Sequence, residues 1–448
     1  MQRMDTSIGT LSRLVWPIYV DNILRTLMGN VIIMLLGRLS TSVVAAVGTA
    51  NQIFNMIVLV YTMFAAAAGI VLNQQLGADR QKDAADVMVL VLAAGTAFSL
   101  FCSAILYFFA GDLLGLIGLS PDLVAEGASY LRIVGGASFL YAINYIAVAI
   151  CRSYGFTRFP MMVSLMMNLL QLAGSVIVIL RPFETPFRGA SGIAAAAAFS
   201  VFVSLIPLFV LMVRQIGFRI YLRGISVSVS EVLKAVLKVA IPSGVEGFSY
   251  NIGQLVITSI LAPMGTVILT TRVIAQTLSA FCFMGAYSIA QGGQIIVGHL
   301  AGAGRMDDAY TSTLRNWRLG LAVNLAVALA ALALARPLIG LYTIDPYILK
   351  LGVLILAIDI AVEIARAGNL VIGYALRGVG DAFFSMRIAL PSVWLINVGL
   401  SYLLGRGFGL GLAGAWIGMA ADESLRSVFI FLRWRSRKWE RKRLVSND

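Results

Sequence analysis

Long apolar stretches alternate with short polar, basic or glycine-rich segments along all 448 residues of the chain. A helix needs ~20 residues to cross a hydrocarbon core of about 30 Å. Stretches of that length begin near residues 14, 44, 87, 128, 160, 190, 239, 267, 319, 351, 388 and 410. The pattern predicts an all-α integral membrane protein with twelve transmembrane helices.

A constant offset of 225 residues (Pro17 to Pro242) superimposes the first half of the chain on the second. It places Asp21 on Glu246, Gly77 and Arg80 on Gly302 and Arg305, Pro121 on Pro346, and Asn144, Arg152 and Gly155 on Asn369, Arg377 and Gly380. Six spans per half give both halves the same orientation, so the repeat predicts two six-helix lobes related by a pseudo-two-fold axis along the membrane normal. The expected divisions are an N-lobe over 1–215, a cytoplasmic linker over 216–238, a C-lobe over 239–436 and a basic cytoplasmic tail over 437–448. Ser228 and Glu231 have capping-box spacing, which predicts a short surface helix leading into the seventh span.

Composition excludes a soluble globular protein, because 59% of residues are hydrophobic and 12% charged, against roughly 25% charged in soluble domains. The 34 Lys and Arg residues concentrate at both termini and in the loops after even-numbered spans. By the positive-inside rule both termini are cytoplasmic, in a plasma (inner) membrane. The basic run from Arg433 to Arg443 is read as a contact for anionic lipid heads and not for nucleic acid. Cys102, Cys151 and Cys282 lack the spacing of a metal site or a disulfide framework. With a single histidine and no HExxH, GxSxG or phosphate loop, no enzyme and no cofactor is expected. The N-terminal stretch shows no cleavable leader pattern.

Ionisable groups inside a membrane helix are costly unless paired or hydrated, so each is a candidate site. Asp21 precedes Arg25 by four residues, a spacing that makes either an internal ion pair or leaves Asp21 as a proton site. Glu246 has no cation within a turn of its own helix. Burial without a partner favours the protonated form of a carboxylate, so Glu246 is expected to be a coupling or substrate-cation site that gains and loses a proton, or else to be satisfied by a basic group from another helix such as Arg272. Asp359, Glu363, Arg366 and Asn369 stack down one side of the tenth span, with Glu363–Arg366 a structural pair and Asp359 hydrated near the helix start. Asp422, Glu423 and Arg426 read as structural, and His299 as a surface group at a loop boundary. Asn51, Asn55, Asn144, Asn168, Tyr250, Gln254 and Gln276 supply uncharged polar positions for a substrate cavity, each also explicable as a helix-to-helix hydrogen bond.

Several segments together resemble the multidrug and toxic compound extrusion (MATE) family. They are LGADRQKDA (Leu76 to Ala84), IPSGVEGFSYNIGQ (Ile241 to Gln254), VGHLAGAGR, and EIARAGNLVIGYALRGVGDAFFSM (Glu363 to Met386). The match to its PSxxE, DinF-like variant covers essentially the whole length. The resemblance implies a monomeric secondary antiporter that exports small organic, often cationic or amphipathic compounds by alternating access, in exchange for protons or sodium ions. A lipid-linked saccharide flippase of related architecture stays open as an alternative. The chain departs from the family pattern at Ile32, Leu172, Tyr250 and Arg366, where members carry acidic groups. These departures count against sodium and favour Asp21 and Glu246, with Asp359 and Glu363, as proton-coupling groups. The repeated loops after even-numbered spans are either topology anchors or latches that open and close with the transport cycle.

Overall fold

A computed structural model describes residues 5–37, 41–180, 189–219 and 227–444, with backbone only at 30, 32–37, 41 and 42. The linker expected over 216–238 therefore lies partly outside the described residues. Among the described residues there are twelve long helical segments and no strand. The first six are α1 (Ile8–Gly37), α2 (Thr41–Gly77), α3 (Gln81–Phe108) with the short α4 (Ala110–Leu116), α5 (Pro121–Gly136) continued by α6 (Ser138–Ser153), α7 (Arg158–Leu180) and α8 (Gly189–Leu211). The second six are α9 (Val229–Leu261), α10 (Thr266–Gly302), α11 (Met306–Ala333) with α12 (Ala335–Gly340), α13 (Pro346–Val379), α14 (Ala382–Pro391) and α15 (Gly411–Arg435). π-Helical turns at Ser392–Val398 and Ser401–Gly407 extend α14. They follow Pro391, which lacks the N–H that a regular helix would use there.

Each predicted apolar stretch falls in or beside one of these segments, the twelve-helix plan the sequence predicts. Eight of them are long and apolar enough to cross a membrane on length and composition alone. The other four, α1, α9, α13 and α15, carry the ionisable residues singled out above, apart from His299 and Arg272 on α10.

The repeat is visible in the elements themselves. Thr41 and Thr266 open α2 and α10, Gly77 and Gly302 close them, and α3 and α11 run over equivalent residues. Gly155 (φ 85°) and Gly380 (φ 100°) make the same left-handed turn after the fourth and tenth spans, a conformation that costs glycine little. The halves differ at the fourth span. Gly135 and Gly136 weaken the helix ahead of the break at Ala137, whereas the equivalent stretch of α13 is unbroken.

Packing divides the chain into two compact units. One comprises Met1–Tyr19, Gly77–Asp79 and Ile241–Asp448, the other Val20–Leu76 and Arg80–Ala240. Thus α1 and α9 each change unit beside a proline, Pro17 and Pro242. In the unit of Val20–Leu76 and Arg80–Ala240 the core is built on Val47, Phe54, Leu106, Leu131 and Ile193. In the other unit, Leu11, Ile296, Leu300, Leu376 and Trp434 form one core cluster and Ile257, Leu261, Ile355 and Trp416 a second. There Gly414 brings α15 against the backbone of Leu404 and Gly405, an approach that a side chain would block.

The basic run after α15 is folded. Trp439 is fully buried, its ring stacked 4.1 Å from that of Trp434, and its Nε1 donates to the Trp434 carbonyl at 2.8 Å. Arg433 pairs with Asp381 (2.8 Å) and Arg437 with Asp307 (2.6 Å). Two of the arginines read as lipid contacts are thus spent on acids of the protein itself. Replacing a buried aromatic by alanine costs about 3–5 kcal/mol. Trp439→Ala is expected to lower the thermal unfolding midpoint of purified protein clearly, with Arg441→Ala near wild type; equal midpoints for wild type and Trp439→Ala would contradict a packed tail.

Candidate functional site

Two ion pairs occupy equivalent places in the repeat. Asp21 of α1 accepts from Arg25 Nε (3.2 Å), one turn along its own helix, and from Arg152 Nη2 (2.7 Å) in the last turn of α6. Glu246 of α9 takes Arg377 Nη2 on both carboxylate oxygens at 3.1 Å, from the last turn of α13. The partners are 131 residues apart in both pairs. An aromatic face lies under an arginine in each: Tyr145 under Arg25 at 5.5 Å and Tyr374 under Arg377 at 4.8 Å. Asp21 is buried and Glu246 half-buried.

Of the two expectations for Glu246, a basic group from another helix is the one the structure shows, and the partner is Arg377 in place of the suggested Arg272. Its cation comes from a helix far along the chain, which spacing on α9 cannot show. Arg272 instead donates to the side-chain (2.9 Å) and backbone (3.1 Å) oxygens of Gln254, which Gln276 also approaches at 3.4 Å. Glu246, Tyr250 and Gln254 still form one stripe along α9, and Tyr250 lies 6.0 Å below the Arg426 guanidinium.

Beyond this stripe, α10, α11, α13 and α15 enclose a polar network in the same unit. Asp359, Glu363, Asp422 and Glu423 are all buried, as are Arg366 and Arg426. Arg366 contacts Glu363 and, at 3.5 Å, Glu423. Arg426 contacts Asp422 at 2.7 Å and Glu423 at 3.2 Å. Asn369 donates to Glu423 (2.7 Å) and Asn324 to Glu363 (3.0 Å). The π-helical turns after Pro391 present Ser392 and Asn397 to the Asp422 carboxylate at 2.5 and 3.4 Å.

Asp359, expected to be hydrated near the helix start, is buried and enclosed by side chains. Trp416 Nε1 donates to it at 3.0 Å, and Ser279 Oγ stands 3.2 Å from it and 3.3 Å from Glu363. Trp416 reaches in from α15 and Ser279 from α10, neither adjacent in sequence. His299, expected at the surface, is buried, because α10 continues to Gly302.

The remaining predicted cavity positions scatter. Asn51 accepts from the Tyr130 hydroxyl (3.0 Å), Asn144 donates to Ser204 (2.9 Å), Asn55 is exposed, and Asn168 is buried with its Nδ2 unpartnered. Ser279, Asn324, Ser392, Asn397 and Trp416 were missed by sequence reasoning. The pairing of Arg152 and Arg377 with the two acids was present in the repeat, since both residues of each pair superimpose on both residues of the other.

A family model, MatE, matches residues 17–177 and again 242–403, once in each half. The chain belongs to the MATE family of transporters. Over 435 residues it is 36% identical to the uncharacterized transporter YisQ of Bacillus subtilis, covering 97% of this chain and 95% of that one. It is 28% identical to the probable multidrug resistance protein NorM of Thermotoga maritima, covering 98% and 94%. Among solved structures, a Vibrio cholerae MATE transporter superposes with TM-score 0.89 at 19% identity, over 96% of this chain and 98% of that one. A transporter of the MOP superfamily from Pyrococcus furiosus, described as having a binding pocket of reversed polarity, gives 0.86 at 20% identity over 96% and 95%. The twelve-helix, two-lobe MATE architecture is therefore that of this chain, and its chemistry is transport and not catalysis.

Breaking a buried pair by removing one partner costs about 3–5 kcal/mol, because the other charge is left uncompensated. In double-mutant cycles, Arg377→Gln should destabilise this MATE protein more than Glu246→Gln with Arg377→Gln together, whereas Arg152→Gln should cost less, because Arg25 still faces Asp21. Additive effects in unfolding experiments would show that the pairs are not coupled.

Proposed function

We propose that this MATE transporter exports organic compounds, cationic or amphipathic, in exchange for protons by alternating access. It would act as a monomer in the plasma (inner) membrane with both termini in the cytoplasm. The observation that carries the proton reading is Ser279. Its hydroxyl has one hydrogen, yet it stands within hydrogen-bond distance of both Asp359 and Glu363. It can donate to one carboxylate only. The second bond is complete when the other carboxyl carries a proton and donates to Ser279, so the geometry suits one proton held between the two acids.

Charge supports the same reading. The network sets four carboxylates, Asp359, Glu363, Asp422 and Glu423, against two guanidinium groups, and uncompensated charge is costly in an apolar bundle. Binding a proton lowers that cost. Arginines already face Glu363, Asp422 and Glu423, which places positive charge where a sodium ion would need oxygen ligands.

The contacts support a relay toward one of the ion pairs, Glu246–Arg377. Protonating Glu363 frees Arg366 to turn toward Glu423, which also holds Arg426. Arg426 stands over Tyr250, one turn along α9 from Glu246. In this proposal Asp359 and Glu363 hold the exchanged proton, while Glu246–Arg377 and Asp21–Arg152 open and close with the cycle. The polar positions Tyr250, Gln254, Gln276, Asn51, Asn55, Asn144, Asn168 and Asn369 are candidates to meet substrate, and relatives named as multidrug resistance proteins support that substrate class.

Proteoliposomes loaded with a fluorescent organic cation test this directly. An imposed pH gradient should drive export by wild type, and Asp359→Asn or Glu363→Gln should abolish it. Ser279→Ala should slow it about tenfold, the worth of one hydrogen bond to a charged group. Export driven by a sodium gradient at constant pH, with pH-driven export intact in Asp359→Asn, would overturn the proposal.

A further inference from the structure

An apolar cavity of about 280 Å³ lies against the first half of α1. Ser12, Trp16 and Tyr19 of α1, Ile289 of α10, and Leu319 and Val323 of α11 line it. Trp16, Tyr19 and Leu319 are well exposed, so in a membrane the cavity opens onto lipid. Lipid tails are then the apolar matter at hand to fill it.

One end of this groove is basic. Arg315, Leu319 and Val323 succeed one another at i, i+4 and i+8, so Arg315 stands on the lining stripe of α11, one turn above Leu319. Its guanidinium donates to the Thr6 carbonyl, while its Nε–H has no acceptor. Arg13, next to Ser12, and Arg318, next to Leu319 and one turn from Arg315, are exposed. Asp5, beside Thr6 and also exposed, is the one acid in those flanking stretches. The shared fold does not require these arginines. In the other half of the repeat, Leu90 and Ala93 of α3 stand where Arg315 and Arg318 stand in α11.

We propose that this groove is a binding site for an anionic phospholipid, with an acyl chain along Trp16, Leu319 and Val323 and its phosphate at Arg315 and Arg318. An acyl chain matches an apolar groove that opens to the bilayer, and a phosphate matches arginines at its end through forked, charge-assisted hydrogen bonds. The proposal stands on the geometry of one packing unit and is independent of the coupling ion.

Trp16 supplies the readout. The full-length protein is placed in phosphatidylcholine vesicles containing increasing fractions of brominated phosphatidylglycerol or brominated phosphatidylcholine, and the quenching that Trp16→Phe abolishes is followed. Half-maximal quenching by the anionic lipid is expected at a mole fraction at least about fivefold lower, from roughly fivefold per arginine at a membrane surface. Arg315→Gln with Arg318→Gln should erase that preference. Arg318→Gln alone, which leaves the Thr6 contact in place, should reduce it. Arg441→Gln with Arg443→Gln in the tail should leave it unchanged. Equal quenching by the two lipids in wild type would overturn the proposal. So would a preference lost in the tail variant and kept in the groove variants, or one removed by glycerol phosphate at ionic strength matched to a chloride control, since the acyl chain would then play no part.

Discussion

A charge buried among membrane helices must find an opposite charge or a full set of hydrogen bonds, and this requirement organises the structure more than any apolar contact. Apolar side chains gain little by leaving lipid for protein, so packing between helices rests on close approach and on polar contacts. Asp21, Glu246, Glu363, Asp422 and Glu423 each meet an arginine, and Asp359 meets Trp416 and Ser279. These bonds tie α1 to α6, α9 to α13, and α13 to α10, α11 and α15. The acids therefore fix which helices are neighbours, quite apart from any part they take in transport.

The same requirement explains local irregularities. Pro391 takes a backbone donor out of the eleventh span, and the turns that follow widen into π-helix. That widening delivers Ser392 and Asn397 to Asp422, whose second oxygen is held by Arg426. A regular helix would set the side chains after Pro391 at other angles around its axis. The irregular backbone and the buried carboxylate are thus two halves of one arrangement.

Helix number, the repeat and the fold were legible in the sequence, because twenty apolar residues in a row admit one structure in a bilayer. Pairs within one helix were also legible, as Asp21 with Arg25 and Asp422 with Arg426 show, since a spacing of four residues fixes a shared face. Contacts between helices were not. Glu246 has no partner on its own helix, and spacing could not name Arg377 on another; Asp359 looked hydrated because Trp416 and Ser279 come from two others. Arg152 and Arg377 could still have been found. A duplicated scaffold that keeps an acid at one pair of positions and an arginine at another keeps the distance between them as well.

Where the halves diverge, they do so at equivalent places. Ser138, the counterpart of Glu363, bonds the hydroxyls of Ser103 (2.7 Å) and Tyr61 (3.1 Å). Ser99, the counterpart of Asn324, accepts from Tyr61 through its carbonyl. Counted from Gly189 and Gly411, which open α8 and α15, Ser200, Val201 and Ser204 stand where Asp422, Glu423 and Arg426 stand in the second half. One scaffold thus holds an uncharged hydroxyl cluster in the first half and a network of acids and arginines in the second. The shared fold needs only that this site be polar and satisfied, and hydroxyls meet that need without the desolvation cost of charge. The second half instead buries four acids and two arginines, at greater cost. That charge lies in the half where Ser279 stands between two carboxylates, the acids proposed to hold the exchanged proton.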